Sequence, residues 1–600
     1  MKNDKKLHEL RHSLAHILAS AVSEAFPKAQ LGVGPVIENG FYYDFLLPRA
    51  LTPEDLQRLE KRMRELVRQR LGFEKQEMSF EEAKKYFEEK NQPFKVELIN
   101  DIQTHGTTVF KDTVGGAESD KTKPDGVTVY HTGKFSDLCR GGHVNNTSEI
   151  KADAFKLEKT SGAYWRGDQA NPQMQRVYGL AFDTKEELDA HLKLQEELAK
   201  RDHKVLGPKL GLFLFNEMSP GIPFYQPKGT IIRNELEKFV REVSYGHGYS
   251  EVRLPQMFDS ELWKISGHWE HYKDDMFTFK VEGKEFALKP MNCPGHMLLF
   301  KQGLYSYKDL PFRMAEMTTL YRNELSGALG GLTRVRAFGQ DDCHIFLTPE
   351  QVSDEVAELL KRVSRLYKVF GMKIEEVFLS TKPEKSLGTD AEWSKAETAL
   401  ATALKKAKWN FDFNPGDGAF YGPKIDMKIR DTLGRQWQLA TIQLDFQMPQ
   451  RFGLEYIAAD GTRQTPIVIH RALLGSYDRF MAILIEQFGG AFPVWLSPVQ
   501  VQVIAISRKQ NKYAYSVEKE LRGLIPGLRM HVDDRDESIG KKIRDAQINK
   551  VPYMLILGEK EMKSGKISIR TRAGKEMLAV SLKRFSETLL SDIANKVNSK

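Results

Sequence analysis

Six hundred residues exceed what one hydrophobic core usually supports, so three or four domains are expected, and 41% hydrophobic with 28% charged residues marks a globular chain. A formal charge of +8 is mildly basic, compatible with a polyanionic partner without requiring one. Three cysteines are too few for a disulfide framework, and their odd number argues for a reducing compartment.

The N-terminus, "MKNDKKLHELRHSLAHILASAVSEAF", has a basic start, but its apolar positions are interrupted by His, Ser and Glu. That pattern predicts an amphipathic helix over residues 8–26, not a secretory signal. No run of about eighteen apolar residues follows, so no membrane span is expected and the chain is expected in the cytoplasm. "LGVGPVIENGFYYDF" reads as strand and turn, and "PEDLQRLEKRMRELVRQRL" as a charged helix. A polar, Gly-containing stretch then leads to "DLCRGGH". Residues 184–206, "TKEELDAHLKLQEELAKRDHKVL" after Asp183, read as a charged linker helix with Leu188, Leu192 and Leu198 on one face. From 207 to 495 the pattern is mixed, with alternating runs typical of antiparallel strands, including "LTRVRAFGQDDCHIF" and "RQWQLATIQLDF". From 496 to 600 strand and helix patterns alternate, which predicts an α/β module with a partly parallel sheet. Neither a G-x-x-x-x-G-K-[ST] phosphate loop nor a complete G-x-G-x-x-G is present, so a bound nucleotide needs another cradle.

Three groups of residues carry chemistry. His12 and His16 are four apart and share one helical face, and Cys139 and His143 repeat that spacing. Two such pairs in one domain point to convergence on a zinc ion or on a substrate. In the centre, two antiparallel strands joined by a Gly-rich loop are expected to carry Arg322 and Glu324 on the first and Arg334, Gln340, Asp342 and His344 on the second. Period-two spacing points Gln340, Asp342 and His344 to one side of the sheet. So much charge is costly to bury without a ligand, the alternative being a solvated sheet face. Further on, a β-rich run ends at His470 and an amphipathic helix begins, with Arg479 one turn after Ser476. An Arg near a helix start facing a sheet suits bidentate phosphate binding.

"YRNELSG", "RVRAFGQDDCHIF" and "IHRALLGSYDRF" resemble motifs 2 and 3 of the class II aminoacyl-tRNA synthetases, "ELEKFVREVSYGHGYSEVRLPQM" resembles motif 1, and "MNCPGH" narrows the resemblance to the threonyl-tRNA synthetase family. The likeness spans essentially the whole chain, and the class I signatures HIGH and KMSKS are absent, as it requires. It implies an α+β editing domain over 1–183, a linker over 184–206, a class II catalytic domain with an antiparallel sheet flanked by helices over 207–495, and an α/β anticodon-binding domain over 496–600. Many bacterial members carry a small ubiquitin-like domain ahead of the editing domain; here the editing motifs begin almost at once.

The resemblance also implies roles. Arg322 would grip the α-phosphate of ATP and then the adenylate, Glu324 the adenine and Arg479 the γ-phosphate, with Arg334, Gln438 and Thr441 completing the ATP site and Mg²⁺ arriving with the nucleotide. Cys293, His344 and His470 would be three zinc ligands with a fourth position open to the amino group and β-hydroxyl of L-threonine. Met291, Gln340, Asp342, Tyr421, Lys424 and Gln443 would surround the amino acid, Asp342 taking its amino group, while His268 would stand near the terminal adenosine of tRNA(Thr). His296 and Cys343 look like decoys beside the true ligands. His12, His16, Tyr43, Lys95, Asp137, Cys139 and His143 would form the site that hydrolyses seryl-tRNA, working through an activated water and not a metal. Glu561 and Arg570 match anticodon-reading positions, and Asp536 stands where an Asn is expected. Lys541, Lys542, Arg544 and Lys550 would contact backbone phosphates. Motif 1 implies a homodimer. Prolyl- and seryl-tRNA synthetases lack this combination of residues, and the intact Arg322, Glu324 and Arg479 speak against a catalytically dead RNA-binding regulator.

Overall fold

The computed structural model describes residues 2–108, 124–168, 170–431 and 433–596; the polar stretch ahead of Cys139 lies partly outside them. The chain divides into two compact units, Met1–Glu197 and Leu198–Lys600. Among the described residues no helix is long and apolar enough to cross a membrane.

In the first unit, helix Lys2–Ala25 buries Leu10, Leu14, Ile17, Leu18, Ala21 and Val22. That i, i+3, i+4 stripe packs it onto strand Gly40–Leu46 and its neighbours. The strand belongs to an antiparallel sheet ordered Gln30–Leu31, Gly40–Leu46, Gln173–Ala181, Phe155–Tyr164, with Val36–Ile37 paired beside Gly40–Leu46. Helix Pro53–Arg68 starts where Thr52 and Asp55 cap one another, the Thr52 hydroxyl accepting from Asp55 N at 3.3 Å and the Asp55 carboxylate from Thr52 N at 3.0 Å. A second antiparallel sheet, Glu74–Met78, Val127–Thr132 and Phe135–Leu138, delivers the chain to Cys139. The α+β expectation for this region holds.

The second unit is built on an eight-stranded sheet ordered Tyr249–Glu251, Phe312–Tyr321, Ala337–Leu347, Ile467–Ala472, Gln436–Asp445, Lys424–Arg430, Lys373–Ser380, Asp412–Asn414. The two edge pairings are parallel and the interior is antiparallel. Helix Val352–Val369 buries Val356, Leu359, Leu360, Val363 and Leu366 in the core on one side of this sheet, together with residues of Tyr477–Phe488. A separate apolar cluster around Trp263, Met297, Phe300 and Phe346 packs on the other. The C-terminal sheet is ordered Met530–Asp533, Val501–Ala505, Tyr553–Leu557, Ile567–Thr571, Glu576–Val580. Its first three strands are parallel and the rest antiparallel, the partly parallel module the strand and helix alternation predicts.

Several local expectations need correcting. The central strand stops at Tyr321, so Arg322 and Glu324 lie just beyond it, and Arg334 lies in the loop before Ala337; only Gln340, Asp342 and His344 share a strand. The motif 1 strand ends at Glu251 and not at Pro255, because Leu254 N is taken by the Glu316 carboxylate at 2.8 Å instead of a ladder partner. Residues 184–206 are not one helix. Lys185–Arg201 ends, and Asp202 caps a new helix, His203–Lys209, by accepting from Lys204 N at 2.8 Å.

One turn locks the central strands together. Buried Asp341 accepts from the backbone N–H groups of Leu473, Leu474 and Gly475 at 2.8, 3.1 and 2.9 Å, and Arg471 Nη1 lies 3.4 Å away. Gly475 adopts φ +76° there, a conformation that favours glycine. Removing the carboxylate leaves buried donors and a buried guanidinium unpaired, so Asp341→Ala is expected to destabilise this unit by about 3–5 kcal/mol. A thermal melt of the full chain with the second unit's transition unshifted would contradict this.

Candidate active site and metal centre

The pleat of three neighbouring strands assembles the centre. His344 stands directly opposite His470 in the antiparallel ladder, and Gln443 opposite His470 on the other side. Residues opposite one another point to the same face, so His344, His470 and Gln443 share it while Cys343 joins the apolar core behind the sheet. The thiol of Cys293, at the start of helix Cys293–Lys301, meets the imidazoles on that face. The ligand atoms of Cys293, His344 and His470 all lie within 4.8 Å of one another and could hold a metal ion. His344 Nε2 is 2.9 Å from His470 Nδ1, and His470 Nε2 is 2.9 Å from Asp445 Oδ2. A carboxylate only accepts, so Nε2 of His470 carries its proton and Nδ1 presents a lone pair to the centre. Burial, with His470 and His296 nearby, holds His344 well below the ordinary histidine range, so it is neutral. Burial, with Asp342 and Asp445 nearby, pushes the Cys293 thiol well up. A cation among the three would reverse that by stabilising the thiolate, so the donor set fits one.

Cys293 and His470 line a cleft of about 460 Å³ whose other walls include Arg322, Glu324, Arg334, Gln340, Asp342 and Arg479. Ser476 caps helix Tyr477–Phe488 by accepting from Arg479 N at 3.2 Å, which sets Arg479 in its first turn; its Nε donates to the Thr333 carbonyl at 3.0 Å. Burial, followed by the like charges of Arg322 and Arg334, lowers its pKa. Arg322 lies over the Phe338 ring, 5.0 Å from its centroid, with a buried Nε that has no hydrogen-bond partner. Arg334 pairs with Glu324 at 2.8 Å. Mutually repelling, partly buried guanidinium groups are the electrostatic signature of a site for a polyanion.

Met291, Tyr421, Gln438, Thr441 and Gln443 also line the cleft. Tyr421 donates to Gln443 Oε1 at 2.8 Å, and Asn292 Nδ2 holds Asp342 Oδ2 at 3.0 Å. Lys424 stands opposite Gln443 in the ladder, its ammonium held by Asp426 and Asp417 at 2.8 and 3.1 Å. His268 opens helix His268–Tyr272, is fully buried, and packs its ring 5.2 Å from that of Phe420. His296 stands outside the group of three that could hold a metal ion, but its Nδ1 lies 2.7 Å from His344 Nδ1. Asp445 was also missed, although Thr441, Gln443 and Asp445 form a period-two series on one strand.

In the first unit, the four-residue spacing brings His12 and His16 to the segment after Phe135–Leu138. Cys139 Sγ lies 3.4 Å from His12 Nε2 and 3.2 Å from His143 Nε2. Beside them Asp137 is held by Lys95 and Tyr43, each at 2.5 Å, with His16 Nε2 at 3.9 Å. Of the seven predicted residues all but His143 line one pocket of about 570 Å³. His12, His16, Cys139 and His143 also lie close enough together to hold a metal ion. A third such group, Asp202, His203 and Glu486, is structural: His203 uses Nδ1 for Glu486 at 2.5 Å and Nε2 to accept from Leu332 N at 3.1 Å.

Residues 277–488 match the family model for the tRNA synthetase class II core domain (G, H, P, S and T), 500–592 that for the anticodon binding domain, and 127–178 that for the threonyl and alanyl tRNA synthetase second additional domain. The chain is 48% identical over 590 residues to threonine--tRNA ligase of Clostridium tetani, covering 98% of this chain and 88% of that protein. It is 47% identical over 596 residues to threonine--tRNA ligase 2 of Bacillus subtilis, covering 99% and 90%. The chain belongs to the threonine--tRNA ligase family. Among solved structures, the RNA binding domain of threonyl-tRNA synthetase from Cryptosporidium parvum is similar with a TM-score of 0.63 at 46% identity, over 65% of this chain and 98% of that one. Prolyl-tRNA synthetase of Giardia lamblia, with a TM-score of 0.52 at 16% identity over 67% and 80%, shares the fold alone.

The positions matched to this family's anticodon-binding module divide. Arg570 pairs with Glu576 at 2.5 Å and exposed Asp536 with Arg508 at 2.9 Å. Glu561 is bound by Gly558 N and Ser568 Oγ at 2.9 and 2.7 Å. Lys541 and Arg544 are exposed and Lys550 partly so, but Lys542 is buried, donating to the Ala505 and Asp533 carbonyls at 2.8 and 3.3 Å. Its place on the inner face of helix Ile539–Ile548 removes it from any phosphate-binding surface.

The histidine cluster of the first unit makes stability depend on pH. Burial, then repulsion from His16 and His12, takes His143 down to about 2, and burial lowers His12 and His16 as well. The unfolded chain takes up protons near pH 6.5 where the folded unit does not, so stability is lost as pH falls below about 6.5. Hydrogen exchange of helix Lys2–Ala25, corrected for intrinsic rates, is expected to quicken from pH 7 to pH 5. In His143→Phe, which keeps the stack on Phe73, the dependence should be shallower; an equal slope would contradict the assignment.

Proposed function

We propose that the chain activates L-threonine with ATP, transfers it to the 3′ end of tRNA(Thr), and hydrolyses seryl-tRNA(Thr) formed in error. The observation that carries this reading is that Cys293 and His470, which group with buried His344, line the same cleft as Arg322, Arg334 and Arg479: a donor set for an amino acid beside a cradle for a triphosphate. One zinc ion on that cluster would supply a Lewis-acidic position for the amino group and β-hydroxyl of threonine.

This chain's own residues do the rest. Asp342, fixed by Asn292, takes the ammonium of the amino acid, and Gln443, fixed by Tyr421, borders the same space. Arg322 and Gln340 hold the α-phosphate, Glu324 and Arg334 the adenine end with Gln438 and Thr441, and Arg479 the γ-phosphate beside Mg²⁺. These groups position the carboxylate for attack and neutralise charge as pyrophosphate leaves. His268 serves the transfer step. A site that demands a hydroxyl rejects valine strongly, whereas serine lacks only a methyl, worth about 1–3 kcal/mol. The second site removes that error: His12, His16, Cys139 and His143 activate a water, with Asp137, Lys95 and Tyr43 fixing the substrate.

The domains follow as editing over 1–183, linker over 184–206, catalysis over 207–495 and anticodon binding over 496–600, where Glu561, Arg570 and Asp536 face the tRNA. The motif 1 likeness supports a homodimer, and three free cysteines support a reducing compartment such as the cytoplasm.

Pyrophosphate exchange with each of the twenty amino acids tests the first half. Robust exchange with threonine, about 10–200-fold weaker selection of serine and none of valine is expected; proline-dependent exchange would sink the assignment. For the second half, His12→Ala with His16→Ala should let seryl-tRNA(Thr) accumulate while threonine charging persists, and undiminished hydrolysis would reject that site.

A further inference from the structure

The inference here rests on the metal reading of Cys293, His344 and His470. Three more buried side chains stand in line behind His344. Its Nδ1 is 2.7 Å from His296 Nδ1, and His296 Nε2 is 3.5 Å from Glu316 Oε2. Glu316 Oε1 accepts from Lys289 Nζ at 3.0 Å and from Leu254 N at 2.8 Å. His296 and His344 are wholly buried, and Glu316 and Lys289 are 1% exposed.

The elements that supply the ligands supply this line too. His296 is one turn after Cys293 on the same helix. Glu316 stands directly opposite Asp342, and its neighbour on that face, Met314, directly opposite His344. From Asp445 to Glu316 the sequence of groups is carboxylate, imidazole, imidazole, imidazole, carboxylate, which makes four gaps. Both ends only accept, so His470 Nε2 and His296 Nε2 each carry a proton. Counted with one proton on each imidazole, one of the two inner gaps holds two facing lone pairs. The gap between His344 Nε2 and His470 Nδ1 is the one between the two imidazoles that group with the Cys293 thiol, their ligand atoms all within 4.8 Å of one another. With a cation there and the third proton on His344 Nδ1, pointing at His296 Nδ1, both inner gaps are satisfied, and His296 Nε2 faces the Glu316 carboxylate across 3.5 Å.

We propose that His296, held by Glu316 and Lys289, is a positioning residue that fixes the tautomer and ring orientation of His344, so that its Nε2 lone pair addresses the metal. His470 has the same support directly from Asp445. Such outer partners are typically worth 10–100-fold in metal affinity.

The test is the zinc dissociation constant of the full chain by chelator competition, with the visible spectrum of the Co²⁺-substituted protein as a second readout. His296→Asn puts an amide oxygen near the position of Nδ1 and is expected to bind zinc within a few-fold of the parent protein with an unchanged spectrum. His296→Gln and His296→Phe, which lack an acceptor there, should bind about 10–100-fold more weakly and shift the Co²⁺ bands. Melts of the zinc-free variants separate lost folding from lost affinity. Parent-like affinity in His296→Gln and His296→Phe would overturn the positioning role alone, as would an equal loss in His296→Asn. A parent protein that takes up no zinc would overturn the metal reading and this inference with it.

Discussion

The cross-strand pairing of His344 with His470 is the constraint on which the catalytic unit depends. Alternation along a strand means that a one-residue slip of either strand would turn its imidazole to the opposite face and put Cys343 or Arg471 in its place. Asp341, the residue on the hidden face, guards against that slip by gathering three backbone N–H groups from the turn after His470. The segments "DDCH" and "HR" thus do two jobs at adjacent positions: one side chain of each pair fixes the register, and its neighbour faces the ligand.

A second constraint is electrostatic. Arg322 and Arg479 repel one another in a partly buried cleft, and Asp342 and Asp445 press on the Cys293 thiol. Left without ligands these arrangements cost free energy. They make sense as complementary halves, an anion cradle beside a cation site, each relieved by what it binds. The first unit uses burial differently: it lowers the pKa of His12, His16 and His143, which favours the form with a free ring lone pair.

Much of this was legible in the sequence because it is periodic. Even spacing put Gln340, Asp342 and His344 on one face, and four-residue spacing joined His12 to His16. Local pattern failed where a tertiary contact decides. Arg322 and Glu324 read as strand residues, yet the strand ends at Tyr321, because Arg336 N does not return the bond that its carbonyl accepts from Arg322 N and donates instead to the Gly221 carbonyl at 2.8 Å. Lys542 read as a phosphate ligand because a charge on a helix is usually solvated, and the inward carbonyls of Ala505 and Asp533 are invisible in sequence. The contact of His296 with His344, 48 positions away, is likewise invisible to local pattern.

X-ray absorption at the zinc edge of the purified protein tests the central claim most directly. The account predicts one zinc per chain, bound by one sulfur and two imidazole nitrogens with light-atom donors completing the shell, and loss of the sulfur scatterer in Cys293→Ser. No bound zinc, or a shell of more than one sulfur or lacking imidazole, would contradict it.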